Sequence, residues 1–292
     1  MYEEGYIKVS GGRVWFEYYN KGASGTPVIV LHGGPGSSSY SLKGLKDLGD
    51  GRPVILYDQL GCGKSGRPND PSLWTIERFV EELAQVREAL NLDEVHILGH
   101  SWGTTLAAAY CLTKPSGVKS VIFSSPCLSA PLWEQDQAKN LLELPIEVQE
   151  TIKRCEAEGT TDSKEFDEAI EEFNKRFVCR LDPFPQWLKE GSHYRSPEVY
   201  NIMWGPSEFS VKGNLKSFDC TPKLKEITCP TLFTCGRYDE ATPETTEYYS
   251  RLTPDSSFFV FENSAHMPYV EEPEAYLTAI GKFMNFVDKK DL

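Results

Sequence analysis

Several patterns that define common classes of protein are missing from this 292-residue sequence. Its eight cysteines form no Cys-x-x-Cys pair and no zinc-ligand spacing, so neither a redox motif nor a structural zinc site is predicted. No apolar run approaches the roughly 20 residues that a membrane-spanning helix requires. The first residues, MYEEGYIKVS, lack the basic and apolar segments of a secretory signal peptide. We therefore expect a cytoplasmic protein with reduced thiols and no disulfide framework.

The sequence also has few positively charged residues relative to negatively charged ones. The sequence has 30 Lys and Arg against 43 Asp and Glu, which gives a formal net charge of −13 at pH 7. Binding to nucleic acid or to an anionic membrane needs a basic surface, so neither is an expected partner. The acidity is interpreted first as a source of solubility, although some of these carboxylates could attract a cationic ligand.

Short, β-branched apolar runs bounded by turn residues predict buried parallel strands. Six such runs occur, at 27–32, 53–58, 95–100, 119–125, 230–236 and 256–263. Near the start of the chain, the alternating runs YIKVS and RVWFEYYN predict an antiparallel edge hairpin that closes at Gly11-Gly12. Residues 75–91 have a helical period, with Thr75 as a candidate N-cap, and so do the residues after Ser101 and the later EAYLTAIGKFMNFV. This alternation predicts a doubly wound, mostly parallel α/β sheet.

The alternation stops between about residues 127 and 220. No buried strand is predicted there. Instead, LLELPIEVQETIKRCEAE and DEAIEEFNKRFV have a helical period, and an aromatic, Pro-rich stretch follows them. We interpret residues 127–220 as a helical cap, inserted into an α/β core of residues 1–126 and 221–292 and lying over the carboxyl edge of the sheet.

A Gly-x-Ser-x-Gly motif occurs where the predicted strand 95–100 ends and a helix begins, with Ser101 between Gly99 and Gly103. At such a junction the motif is the nucleophile elbow of α/β hydrolases, in which a strained turn exposes the serine hydroxyl at a helix N-terminus. The glycines are needed because a Cβ at either position would clash. The free N–H groups at the start of the helix favour developing negative charge. Ser101 is therefore the candidate nucleophile.

A nucleophilic serine needs a base and an orienting acid, in the chain order Ser, Asp or Glu, His. Only His193 and His266 follow Ser101. His193 falls inside the predicted cap, whereas His266 follows the last predicted strand and is the candidate base. The acid should follow an earlier strand. Asp239, after PTLFTCG, is the first choice and Glu240 the second, because the loop SSPCLSAP after the fourth predicted strand has no carboxylate.

The loop HGGPGSS (32–38) follows the first predicted parallel strand and suits an oxyanion hole. Its small residues let a backbone N–H approach a tetrahedral oxyanion. We assign the first donor to the N–H of Gly34 and the second to that of Trp102, while His32 could support the loop by hydrogen bonding. The candidate base would take the serine proton during attack on a carbonyl, and water would hydrolyse the acyl-enzyme. No metal or cofactor is implied.

Five stretches together resemble the proline iminopeptidase family of α/β hydrolases. They are HGGPG, YDQLGCGKS (57–65), GHSWGTTLAAAY (99–110), GRYDEATP (236–243) and the closing SAHMP. They run in family order across nearly the whole chain, and HGGPG with DQ-x-G-x-G-x-S is more specific than Gly-x-Ser-x-Gly alone. The resemblance implies an α/β-hydrolase fold and removal of an N-terminal residue, often proline, from peptides. Residue by residue, it supports Ser101, Asp239 and His266 as the catalytic residues.

The resemblance also implies how a substrate is recognised. In this family, carboxylates beside the site hold the free amino group of the substrate, and Glu240 and Glu208 match them. A buried carboxylate is costly when no ammonium arrives, which favours short peptides or aminoacyl amides with a free N-terminus. Some members work with the tricorn protease, so a larger protease is a candidate supplier of peptides. The cap aromatics Trp187, Tyr200 and Trp204 could line a proline pocket, although such residues more often form cap core.

Two other functions stay open on the sequence alone. An amidase or esterase acting on small amino-acid amides would use the same triad and would differ only in its leaving group. A ligand-binding relative of the α/β hydrolases, such as a hormone receptor, can retain a triad without turning over a substrate. Dehalogenase chemistry is disfavoured, because it needs an Asp in place of the nucleophilic serine.

Overall fold

Eight strands form one sheet in the structure, a computed structural model that describes residues 1–290. The strands are β1 (Glu3–Val9), β2 (Gly12–Tyr19), β3 (Val28–Leu31), β4 (Val54–Tyr57), β5 (Val95–Ser101), β6 (Val118–Pro126), β7 (Thr231–Gly236) and β8 (Ser256–Phe261). Their order across the sheet is β1-β2-β4-β3-β5-β6-β7-β8. The β1–β2 and β2–β4 pairs are antiparallel, and the other neighbours are parallel. The edge hairpin, the six parallel strands and the α/β-hydrolase fold class are thus confirmed.

Ten α-helices occur within the described residues. They are α1 (Ile76–Ala89), α2 (Trp102–Leu112), α3 (Ala130–Leu142), α4 (Ile146–Glu158), α5 (Lys164–Phe177), α6 (Gln186–Gly191), α7 (Pro197–Met203), α8 (Pro243–Leu252), α9 (Pro268–Glu271) and α10 (Pro273–Lys290). Short 3-10 segments occur at Ser39–Gly49, Pro71–Leu73, Ser192–Tyr194 and Thr221–Glu226. The Thr75 side chain accepts a hydrogen bond from the N–H of Arg78, so the predicted N-cap of α1 is confirmed.

Helices cover both faces of the sheet, which is why its parallel strands are apolar on both sides. On one face, Phe79 of α1, Leu106 of α2 and Tyr249 of α8 are fully buried in the larger core cluster. On the other face, Ile280 of α10 packs with leucines of the Ser39–Gly49 segment in a second cluster. The sheet is therefore the middle of three layers.

Residues 127–220 contain the five helices α3 to α7, and in this part of the described chain the only strand pairing is at isolated bridges. Helices α4 and α5 bury a small cluster of their own, which includes Ile152, Phe166 and Phe173. Such a separate cluster lets a segment hold its shape beside the main core.

The helical stretch LLELPIEVQETIKRCEAE is interrupted once. Helix α3 ends at Leu142 and α4 begins at Ile146. Pro145 stands between them; it has no N–H for a helical hydrogen bond, and its ring disfavours helical backbone at the preceding residue. The helical period of this stretch therefore spans two helices, and the break falls at the proline.

The topology brings the ends of four parallel strands to one edge of the sheet. Strand β3 ends just before HGGPGSS, and β5 ends at Ser101. The loop after β7 carries Asp239, and the loop after β8 carries His266. In open α/β sheets, ligands bind at the carboxyl ends of the strands. The candidate site lies at this edge.

Candidate active site

Ser101 ends β5 in a strained backbone conformation, with φ 55° and ψ −126°. A positive φ at a non-glycine residue costs on the order of 1–3 kcal/mol and persists only where the surroundings fix it. Close backbone packing fixes it here. A Cβ at Gly99 would collide with the backbone of Gly103, and a Cβ at Gly103 would collide with the carbonyl group of Leu31. The turn leads directly into α2, whose first N–H groups have no acceptor within the helix.

His266 and Asp239 form a buried pair in the loops that follow β8 and β7. His266 Nδ1 donates to Asp239 Oδ1 over 2.7 Å, and the two side chains are 6% and 0% exposed. Asp239 also accepts from the N–H of Ala241 at 2.8 Å and from the N–H of Gly236 at 3.2 Å. These donors hold the carboxylate in place. Its bond to Nδ1 leaves Nε2 as the nitrogen for proton transfer.

The loop that carries His266 is attached to the ends of β5 and β6. The His100 Nε2–H donates to the backbone carbonyl of His266 over 2.8 Å, and the Ser125 hydroxyl donates to the same carbonyl at 3.2 Å. The centroids of the His100 and His266 rings are 4.8 Å apart. His266 therefore lies beside the elbow, but over residues 1–290 no hydrogen bond joins its ring to the Ser101 hydroxyl.

Carboxylates set the protonation of His266. Burial lowers the pKa of the imidazole, but the charges of Asp239, Glu240 and Glu208 outweigh burial and raise it to about 9. The distance from His266 Nε2 to Glu240 Oε1 is 3.6 Å. His100 is in the opposite situation: burial and the neighbouring imidazole lower its pKa to about 3, so it is neutral when it donates to the loop.

A buried network joins the HGGPGSS loop to the start of α2. Gln59 Nε2 donates to the His32 carbonyl at 3.0 Å, and the Gln59 backbone N–H donates to His32 Nε2 at 3.0 Å. Gln59 Oε1 accepts from the indole N–H of Trp102 at 2.9 Å. Gln59 is 1% exposed. It therefore connects the loop of Gly34 with Trp102, the two residues whose N–H groups are the predicted oxyanion donors.

Two side chains of this site, Gln59 and His100, are absent from the set of candidates that the motifs suggest. Both lie inside motifs of the family resemblance, Gln59 in YDQLGCGKS and His100 in GHSWG. Buried polar side chains need hydrogen-bond partners. A polar residue next to a glycine-rich turn is therefore the sequence signal that could have identified Gln59 and His100 as part of the site. His32 has the loop-supporting contacts that the sequence suggests, and His193 is exposed.

Glu240 is shielded from solvent next to Asp239, with 4% of its surface exposed. Its Oε2 has no hydrogen-bond partner in the part of the chain that the structure describes. Its backbone carbonyl accepts from Gln137 Nε2 at 2.9 Å and from Asn140 Nδ2 at 3.4 Å, both on α3. Burial is the largest cause of its raised pKa, and the His266 imidazole opposes that rise. A buried carboxylate oxygen without a partner indicates a place for a cation.

Glu208 is the second carboxylate of the site. The Tyr200 hydroxyl donates to Glu208 Oε1 over 2.6 Å, and the indole N–H of Trp133 donates to the Glu208 backbone carbonyl at 3.2 Å. Burial raises the pKa of Glu208, while the Tyr200 hydrogen bond and the His266 charge lower it. Helix α3 thus supplies side chains that hold the backbones of both Glu208 and Glu240.

The predicted cap aromatics fall into two groups. Trp204 is buried and packs edge-on against Trp133 at 5.9 Å between centroids, and Trp133 packs on His266 at 6.0 Å. Trp187 packs instead with Tyr40, at 6.5 Å. Of these aromatics, Trp204 therefore belongs to the wall beside the base.

Several classes of site are not found in the described residues. None of the eight cysteines, all of which lie within residues 1–290, forms a disulfide. Over the same residues, no cluster of three or more His, Cys, Asp or Glu side chains could hold a metal ion. None of the described helices combines the length and the apolarity that crossing a membrane requires.

Comparison with known proteins supplies the family context. Residues 26–273 match the family model of the alpha/beta hydrolase fold. The chain is 73% identical over 288 residues to a proline iminopeptidase from Heyndrickxia coagulans. The aligned region covers 98% of this chain and 100% of the relative. The crystal structure of a proline iminopeptidase from Mycobacterium smegmatis matches with a TM-score of 0.92 and 32% identity, over 99% of this chain and 100% of that one. The crystal structure of VinJ matches with a TM-score of 0.94 and 33% identity, over 98% and 99%.

Proposed function

Because the chain belongs to the proline iminopeptidase family of α/β hydrolases, we propose that it is a serine aminopeptidase that releases an N-terminal residue, preferentially proline, from short peptides. The observation that supports the proposal is that three chemical groups lie at the same edge of the sheet. A strained serine turn, a buried Asp–His pair and a buried carboxylate with an unpartnered oxygen all lie there. The first two offer a nucleophile and a base, and the third offers a place for the substrate amine.

In the proposed reaction, Ser101 is the nucleophile, His266 the base and Asp239 the group that orients the base. As Ser101 Oγ attacks the carbonyl carbon of the first residue, its proton passes to His266 Nε2, and Asp239 stabilises the imidazolium. The imidazolium then gives the proton to the leaving amine, and the N-terminal residue stays on Ser101 as an ester. Water repeats the sequence and releases the free amino acid.

The N–H groups of Gly34 and Trp102 would stabilise the oxyanion of each tetrahedral intermediate. The N-terminus of α2 adds a favourable dipole at the same place. The Gln59 network supports this assignment because it ties the Gly34 loop to the Trp102 side chain. Loss of one oxyanion donor costs about 10²–10³ in kcat in serine proteases, so the relative position of the two donors matters.

Glu208 and Glu240 would bind the ammonium group of the substrate. A carboxylate that has lost its hydration is stabilised when a cation arrives, and charge-assisted hydrogen bonds fix the orientation of that cation. A peptide interior or an N-acylated residue brings no cation and would leave both carboxylates unpaired. A requirement for a free N-terminus follows. The rings of Trp133 and Trp204 beside His266 offer an apolar wall for a pyrrolidine ring.

We also propose that residues 127–220 are a cap domain inserted into the core of residues 1–126 and 221–292. The hydrogen bonds from Gln137 and Asn140 to Glu240 support this, because they tie the segment to the loop after β7. A cap over the site would restrict entry to short peptides and chain ends.

A panel of aminoacyl arylamides tests the proposed function. We expect the prolyl arylamide to be cleaved faster than the alanyl and leucyl arylamides, N-acetylprolyl arylamide to resist cleavage, and Ser101→Ala to abolish turnover. Faster cleavage of prolinamide than of prolyl peptides would favour the amidase alternative. Cleavage of N-blocked substrates alone would contradict the assignment of Glu208 and Glu240. Labelling of Ser101 by a fluorophosphonate without turnover of any aminoacyl amide would indicate a ligand-binding relative.

A further inference from the structure

The His266 nitrogen that must accept a proton faces a carboxylate. His266 Nε2 lies 3.6 Å from Glu240 Oε1, an ion-pair distance, and the two side chains are 6% and 5% exposed. In the proposed reaction, Nε2 is also the atom that takes the Ser101 proton. An imidazolium paired with Glu240 cannot do so, because both of its ring nitrogens already carry a proton.

The acidic groups around His266 favour this charged form. Asp239 binds Nδ1 at 2.7 Å, and the charge of Glu208 also raises the pKa of the imidazole. From α9, the Glu271 carboxylate accepts a hydrogen bond at 2.8 Å from the N–H of Ala265, the residue before His266. Negative charge therefore acts on the imidazole from two separate segments of the chain, the loop after β7 with Asp239 and Glu240 and the segment that carries Glu208, while Glu271 holds the backbone of the His266 loop.

The remaining titratable groups do not reverse this preference. His100 on β5 is neutral, and burial raises the pKa of Tyr269 on α9, so its phenol stays protonated. The exposed Arg195 lowers the pKa of both Glu208 and Glu240, but burial outweighs it and raises the pKa of Glu240 to about 8, which is still below the value of about 9 for His266. Of the pair, His266 therefore holds its proton in preference to Glu240.

We propose that the ammonium group of the substrate releases this base: by pairing with Glu240, it frees His266 Nε2 to accept the proton of Ser101. The inference rests on the proposed function, and it makes the free amine a requirement of the chemical step as well as of binding. The geometry of Glu240 carries it. One carboxylate oxygen lies against His266, and the other, Oε2, lacks a partner in the described residues and is placed to take a cation.

The protons balance in each step. Without substrate, both Nδ1 and Nε2 of His266 are protonated. When an ammonium group pairs with Glu240, the carboxylate charge that held the Nε2 proton is neutralised, and that proton leaves to solvent. The Ser101 hydroxyl proton then moves to Nε2 as the Oγ–C bond forms. A simple ester or an N-blocked peptide brings no cation, so the base stays protonated and attack is suppressed near neutral pH.

A fluorophosphonate without an amine tests the inference, because its reaction with Ser101 reports the state of the base in the unliganded enzyme. Labelling rates are measured between about pH 5 and pH 10. For the wild type we expect slow labelling at neutral pH and a midpoint near the His266 pKa of about 9. In Glu240→Gln we expect the midpoint to fall by about one unit or more. Labelling near pH 7 then rises about tenfold, since one unit changes the deprotonated fraction by that factor, while cleavage of prolyl arylamide falls.

Two further variants serve as controls. Glu208→Gln removes the other proposed amine-binding carboxylate, which hydrogen-bonds Tyr200 instead of contacting His266, so its labelling midpoint should move less than that of Glu240→Gln. Glu262→Gln removes an exposed charge that pairs with Arg237, and both its labelling and its arylamide cleavage should match the wild type.

A measurement on the wild type covers the case in which Glu240→Gln does not fold. With 15N-labelled histidine, the His266 signals should change from imidazolium to neutral imidazole near pH 8 when pyrrolidinium saturates the site. An unchanged imidazolium would overturn the inference. So would coincident labelling profiles for the wild type and Glu240→Gln, and in that case continued cleavage of prolyl arylamide through Ser101 would leave the proposed function standing. A wild type that neither cleaves prolyl arylamides nor is labelled at Ser101 would overturn both.

Discussion

Replacing Gln59 with methionine removes two hydrogen bonds from the interior while keeping the side chain close to its original size. The Trp102 indole N–H and the His32 carbonyl, at 2.9 and 3.0 Å from the glutamine amide, would each lose a buried partner. A buried polar group left without a partner costs about 1–3 kcal/mol. Gln59→Met is therefore expected to lower the free energy of unfolding by roughly 2–6 kcal/mol.

The same change is expected to lower kcat more than it raises KM. The Gly34 loop and Trp102 would no longer be tied together, and oxyanion stabilisation acts on the transition state more than on the bound substrate. We expect a loss of about 10²-fold in kcat for prolyl arylamide, which is the lower end of the effect of losing one oxyanion donor. The affinity of a prolyl boronate, which forms a tetrahedral adduct, should fall in parallel.

Gln149→Met is the matched control for this experiment. Gln149 is another buried glutamine, on α4, whose amide donates to the Leu144 carbonyl at 2.8 Å and to the Leu142 carbonyl at 3.3 Å. In urea unfolding, Gln149→Met should lower the free energy of unfolding by a similar amount, and its kcat should stay at the wild-type value. If Gln59→Met loses stability but retains kcat within about twofold, as Gln149→Met should, the network supports folding only and the reasoning about oxyanion geometry is refuted.

Three further predictions concern the elbow, the amine site and acid stability. Gly103→Ala should destabilise the protein by about 1–3 kcal/mol in urea unfolding, because the new Cβ meets the carbonyl group of Leu31; unchanged stability would contradict the packing argument. Tyr200→Phe should raise KM for prolyl arylamide about tenfold with a smaller effect on kcat, because it removes the 2.6 Å hydrogen bond that orients Glu208; an unchanged KM would speak against that role. Burial lowers the pKa of His96 to about 4, so its contribution to stability is present above about pH 6.5 and is lost as the pH falls towards 4. Urea unfolding should show a loss of about 2 kcal/mol between about pH 7 and pH 4.5, and a clearly smaller loss in His96→Asn; equal losses would assign the acid sensitivity elsewhere.

The strands and the position of the site are readable in the sequence for a physical reason. Parallel strands covered on both faces must be apolar throughout, and runs such as VILY in β4 have no other simple interpretation next to turn residues. Ser101, Asp239 and His266 each come at or soon after the end of such a strand. Because the carboxyl ends of parallel strands share one edge, order along the chain predicts proximity in space.

The contacts of Gln59, Glu208 and Glu240 could not be derived in this way, because they arise where distant segments pack together. Glu208 is held by Tyr200 and Trp133, which are 8 and 75 residues away along the chain. A pattern within one loop contains no information about the loops that will cover it. The number of acidic residues does not identify the site glutamates either, since most carboxylates of an acidic protein lie at its surface. The family resemblance singles out these two glutamates, but only the packing of the segment 127–220 shows the contacts that distinguish them from the other acidic residues.

The proposed function requires that Ser101, at the elbow, carries the N-terminal residue during the reaction. Mixing the wild type with an excess of a prolyl ester, quenching with acid within milliseconds and analysing the digested protein by mass spectrometry tests it most directly. We expect one prolyl residue to be attached to the peptide that contains Ser101, and we expect no such adduct in Ser101→Ala. A prolyl adduct on another residue, or turnover by Ser101→Ala at the wild-type rate, would contradict it.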